Sequence, residues 1–79
     1  MLAAMESVPF DLDARGLEPP QPMIRILEAL TGLPSGGELR ARTDRNPVHL
    51  AAMLAERGFV GRTEPAADQG FLTTIRHAP

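Results

Sequence analysis

Val8, Phe10 and Leu12 alternate with Pro9, Asp11 and Asp13, the pattern of a strand with one face buried and the other acidic. Pro9 near its start suits an edge strand or a strand's entry position. Arg15 and Gly16 then read as a turn, and Pro19, Pro20 and Pro22 suit the first turn of a helix, where a missing N–H costs least. Met23, Ile26, Leu27, Leu30 and Leu33 recur at helical spacing, predicting a helix from about Pro20 to Gly32 that stops at Leu33-Pro34-Ser35-Gly36-Gly37. From Glu38 to Thr43, Leu39, Ala41 and Thr43 alternate with Arg40 and Arg42, a second strand with one basic face. Asn46 before Pro47 reads as the cap and first residue of a second helix carrying Val48, Leu50, Ala51, Leu54 and Ala55, with Met53 beside them, and ending at Arg57-Gly58. Phe59 to Glu64 is a third strand, Pro65 to Gly70 a turn, and Phe71 to Arg76 a fourth strand in which Phe71, Thr73 and Ile75 alternate with Leu72, Thr74 and Arg76.

The order is βαβαββ, an α+β two-layer sandwich. Right-handed crossovers put both helices on one face of a four-stranded mixed sheet and leave the other face open. The whole chain, 1–79, is read as a single domain with an ordered core over about 8–76 and frayed ends that include the terminal His-Ala-Pro.

At 79 residues, an isolated chain buries only about 60% of its unfolded surface, so its stability rests on good packing. The 43% apolar and 23% charged residues are ordinary for a globular domain. There is no cysteine, and His49 and His77 lie in different segments without ligand spacing, so neither a disulfide nor a metal site is expected. The formal net charge of −2 is not the footprint of a surface that binds nucleic acid all over. No apolar run approaches the roughly 20 residues that span a bilayer, and a cytoplasmic location is expected.

The run Leu12-Asp13-Ala14-Arg15-Gly16-Leu17-Glu18-Pro19-Pro20-Gln21-Pro22 resembles the signature of the TusA/SirA sulfur carriers, in which Leu-Asp, two residues and Gly-Leu lead into a Cys-Pro-x-Pro helix start. Asp13, Gly16, Leu17, Pro20 and Pro22 match it, and Pro19 stands where those proteins have cysteine. The form GLEPPQPM followed by Asp44-Arg45-Asn46-Pro47 more closely resembles an uncharacterised bacterial sister family known only as a domain of unknown function. The resemblance implies the βαβαββ fold over about Val8 to Arg76. In the sulfur carriers the cysteine is activated at a helix N-terminus, where dipole and free amides favour the thiolate. Pro19 has no nucleophile, so the persulfide chemistry does not carry over.

Several constellations remain as candidates. The Gln21, Met23 and Ile24 amides at the first helix start, with Arg15 and Arg25 as charge partners, would suit a small anion, although the prolines there also serve simply to start the helix. Asp13 ends a strand where a general acid or base would stand, yet nothing completes a catalytic set around it, and turn hydrogen bonding is the plainer role. Asp44, Arg45 and Pro47 form a second loop cluster, with capping and turn chemistry as the simpler account. His49 is read as a solvent-facing residue of the second helix. Arg40, Arg42, Arg62 and Arg76 should share the open sheet face as a basic platform, partly neutralised by Asp11 and Asp13.

The sequence therefore points to a non-enzymatic binding or adaptor module without cofactor, meeting a protein partner or a small anion as a monomer or homodimer. RNA binding on the arginine-bearing face is the alternative, but no aromatic residue alternates with the arginines as a stacking platform requires. With no thiol in the chain, incubation with a cysteine desulfurase and labelled cysteine is expected to leave the protein's mass unchanged; a stable gain of one sulfur would refute this reading.

Overall fold

The computed structural model describes residues 10–79, so Val8, Pro9 and the N-terminal segment expected to fray lie outside the described residues. The elements are β1 (Phe10–Asp13), α1 (Gln21–Leu30), β2 (Glu38–Thr43), α2 (Leu50–Glu56), β3 (Phe59–Pro65) and β4 (Phe71–His77). The strands form one sheet in the order β1-β2-β4-β3, with β1 parallel to β2 and the other neighbours antiparallel. This is the expected βαβαββ arrangement of a small α+β domain with a mixed sheet.

Alternation decides what is buried. Leu39 and Ala41 of β2 stand beside Ile75 and Thr73 of β4, and both helices cover them from one side: Ile26, Leu30 and Leu33 from the first helix and its exit, Leu50 and Leu54 from the second. Leu12, Met23, Leu27 and Phe59 pack around this cluster half-buried. The two buried threonines are satisfied, as buried hydroxyls must be: Thr73 Oγ1 lies 2.7 Å from Thr63 Oγ1, and Thr43 Oγ1 donates to the Arg45 carbonyl at 2.8 Å. Gly61 of β3 is glycine for a packing reason, since a Cβ there would sit 2.5 Å from Cδ1 of the buried Leu54 and force that side chain to shift.

The second helix differs from its expected form. Asn46 does not cap it and Pro47 is not its first residue; Val48 N–H donates to the Asn46 carbonyl and Leu50 N–H to the Pro47 carbonyl, so the chain makes a tight turn and the helix begins at Leu50. Its inward stripe is Leu50, Met53 and Leu54, while Ala51 and Ala55 are exposed and Val48 is 70% exposed. Small apolar residues gave the pattern a wider apolar face than the sheet can receive. Nor is the C-terminal end frayed at His77. That residue pairs with Phe59 in the ladder, its ring centroid 4.6 Å from the phenyl ring, and Nε2–H donates to the Leu33 carbonyl at 2.8 Å. No helix among the described residues is long and apolar enough to cross a membrane.

Because Leu54 is only 1% exposed, Leu54→Ala is expected to cost about 2–5 kcal/mol, whereas Val48→Ala should stay within about 0.5 kcal/mol of the parent. Urea denaturation measures both. Equal losses at the two positions would mean that the helix is rotated from the orientation described.

Candidate functional site

The end of β1 is built around one arginine. Arg15 Nε and Nη2 donate to the two oxygens of Asp13 at 2.9 Å each, a bidentate fork, while the Arg15 amide reaches Asp13 Oδ1 at 3.1 Å. The remaining arm, Nη1, donates to Asp68 Oδ2 at 2.8 Å, bringing in the turn between β3 and β4. One residue on, the Gly16 amide donates to Asp44 Oδ2 at 2.7 Å, which ties the loop after β1 to the loop after β2. The fork with Arg15, helped by its amide and by the charge of Arg42, holds the Asp13 carboxyl at about 2, well below the usual carboxylate range, and Asp13 in turn pushes the Arg15 guanidinium up. A carboxylate held that low is a weak base, and its oxygens are already engaged.

The start of α1 offers less to an anion than its position implies. Gln21 N–H donates to the Glu18 carbonyl and Ile24 N–H to the Pro20 carbonyl, and Pro22 has no donor. Of the three amides read as candidates, Met23 alone keeps its donor. Arg15 is held by carboxylates, and Arg25 is exposed on the helix without lining the space beside it. The Pro19–Pro20 peptide bond is cis.

That space is a groove of about 520 Å³ between the two loops. One wall is Leu17, Glu18, Pro19, Pro22 and Met23; the other runs from Thr43 through Asp44, Arg45 and Pro47 to Val48 and His49. The surface inside is mainly apolar, supplied by Leu17, the prolines, Met23 and Val48, with Glu18, Arg45 and His49 at its polar margins. Two clusters that stand apart in the sequence are thus opposite sides of one depression. Sequence reasoning placed Val48 in the core and His49 in solvent without a neighbour; only the turn at Pro47 brings them to this wall.

The open sheet face is not a basic platform. Cross-strand partners share a face, so the register sets Asp13 beside Arg42, Asp11 beside Arg40 and Glu38 beside Arg76, and places Arg62 and Glu64 on the same side of β3. Arg40, Arg42, Arg62 and Arg76 are therefore matched in number by Asp11, Asp13, Glu38 and Glu64. Arg40 Nε lies 4.0 Å from Asp11 Oδ1. A shallow hollow of about 410 Å³ lies on this face over Val60, Arg62, Thr74 and Arg76. Glu38 and Glu64 escaped the sequence reading because they fall at strand ends, where alternation is hardest to assign.

Residues 11–78 match the family model described as Uncharacterized conserved protein (DUF2249). The chain belongs to the DUF2249 family. Searches of curated proteins and of solved structures return no match. The DUF2249 match spans the Arg15 fork, both groove walls and the four strands except Phe10, so the groove belongs to the portion of the chain that the family model describes.

The Asp13–Arg15 pair gives this DUF2249 protein a defined acid response. Because the folded-state carboxyl of Asp13 lies below its usual value of 3.8, its stabilising contribution is present above about pH 4 and is lost as pH falls towards about 2. Asp13→Asn is expected to flatten the stability profile across that window, and titration of the Asp13 carboxyl by NMR should give a midpoint near 2. A midpoint near 4 would show that the fork does not persist in solution.

Proposed function

We propose that this protein is a non-enzymatic binding or adaptor module, a relative in fold of the TusA/SirA sulfur carriers that works without a thiol. Its site is the groove between Leu17–Met23 and Thr43–His49, and its ligand is a short segment of a partner protein that seats an apolar side chain between the prolines, Met23 and Val48. The observation that carries this reading is the convergence of the two motif loops on one mainly apolar groove. Val48 in particular is a large aliphatic side chain, 70% exposed, at the lip of that depression. Placing it there without a partner leaves apolar surface in water.

The competing readings draw less support. Anion binding at the helix start is left with the Met23 amide, since Arg15 is held by carboxylates and Arg25 does not line the groove. RNA binding on the sheet face meets a charge-balanced surface, on which few counterions would be released. Catalysis through Asp13 would require the fork with Arg15 to open.

Peptides selected against the protein from a displayed library provide the test. Their binding is expected to shift backbone amide resonances of Leu17–Met23 and Thr43–His49, to change little with salt, and to be abolished by Val48→Asp in a variant that melts like the parent. Shifts confined to the open sheet face, or binding indifferent to Val48→Asp, would overturn the assignment.

A further inference from the structure

β3 is an edge strand of seven residues, and nothing among the described residues pairs with its outer side. Which backbone groups face outward follows from the hairpin. Ala66 N–H donates to the Gly70 carbonyl and Ala78 N–H to the Gly58 carbonyl, so the pairs Ala66–Gly70 and Gly58–Ala78 are hydrogen-bonded sites of the antiparallel ladder. Such sites alternate. Val60, Arg62 and Glu64 therefore exchange bonds with β4, while Gly61 and Thr63 send their N–H and C=O groups out of the sheet. Pro65, also outward, contributes only its carbonyl.

The side chains on this edge are self-complementary in one register. With β3 of a second copy antiparallel and Thr63 opposite Thr63, the two threonines form a hydrogen-bonded pair, Gly61 N–H meets the Pro65 carbonyl on each side, and Arg62 falls opposite Glu64 twice. Those Arg–Glu pairs occupy non-hydrogen-bonded sites, where facing side chains lie closest. Moving the centre one residue either way sets Arg62 against Arg62 or Glu64 against Glu64. On the helix side the seam runs beside a shallow groove whose lining includes Gly61, Thr63, Ala51, Pro47 and Val48.

We infer that β3 is a homodimerisation edge, through which two copies join their sheets about a two-fold axis at Thr63 into one eight-stranded sheet with both sets of helices on the same face. The charge complementarity of Arg62 and Glu64 selects a second copy of this chain over an unrelated strand, and the missing donor at Pro65 stops the pairing from extending further.

Sedimentation over a concentration series at low salt tests it by charge exchange. The parent is expected to dimerise, and Arg62→Glu and Glu64→Arg, each leaving like charges opposed, should weaken the dimer by about tenfold or more. Mixed together, these two variants should associate with each other in preference to themselves, and the double variant Arg62→Glu/Glu64→Arg should recover parental dimerisation, which also shows that neither change spoils folding. A parent that stays monomeric throughout, a dimer insensitive to both single changes, or a mixture that shows no preferential pairing would each overturn the proposal.

Discussion

The two helices must cover one face of a four-stranded sheet, and they are too short to cover it fully. With ten residues α1 is about 15 Å long, and α2 with seven is about 10 Å, against about 23 Å for a strand the length of β3. Burial is accordingly concentrated on the two inner strands, where Leu39, Ala41, Thr43, Thr73 and Ile75 lie beneath Ile26, Leu30, Leu50 and Leu54. Neither edge strand has a fully buried side chain among its described residues. The shortfall in cover leaves two features. One is the apolar depression between the helix starts; the other is the bare length of β3.

The depression keeps its shape because the loops around it are tied to one another rather than to the core. Arg15 holds Asp13 and Asp68, and the Gly16 amide holds Asp44, so the connections after β1, after β2 and between β3 and β4 meet at one end of the sheet. Gly70 allows this meeting, since a Cβ there would lie 2.7 Å from the Thr43 carbonyl oxygen and push the Asp68 turn away from Arg15. An exposed ion pair on its own stabilises little, but a bidentate fork with a second carboxylate on the free arm restricts both geometry and direction. In consequence Asp13 and Arg15 shape the site without lining it.

The periodicity of the chain was sufficient for the elements and their order, because strand alternation and the helical stripe of α1 are local properties that burial then follows. It was insufficient wherever a distant partner decides the outcome. Arg15 and Asp68 are separated by 53 residues and Gly16 and Asp44 by 28, and no local signal announces either bond. The start of α2 departs from its pattern for a different reason: Asn46-Pro47 has the chemistry of a capped helix, but carbonyl bonds at Asn46 and Pro47 spend those residues in a turn and rotate Val48 outward. His77 stands near the end of the chain, where fraying is the usual expectation, yet its bond to Leu33 closes the exit of α1 onto the sheet.

The open face raises the question of what fixes the pairing of β1 with β2, a parallel contact with only four described residues on one side. A slip of one residue is forbidden by burial, because it would carry Leu12 to the solvent face and an aspartate towards the helices. A slip of two residues is not forbidden by charge: Asp13 would meet Arg40, or Asp11 would meet Arg42, and an Asp–Arg pair would form in either case. The discrimination must therefore come from beyond the strand. Ala14 is buried and its amide donates to the Arg42 carbonyl at 2.9 Å, and two residues later Gly16 donates to Asp44, so a two-residue shift would break both bonds while leaving a charge pair intact. The same contacts that set the groove walls side by side thus also choose the register of the sheet. A change at Gly16 or Asp44 should accordingly be felt along β1 as well as in the groove.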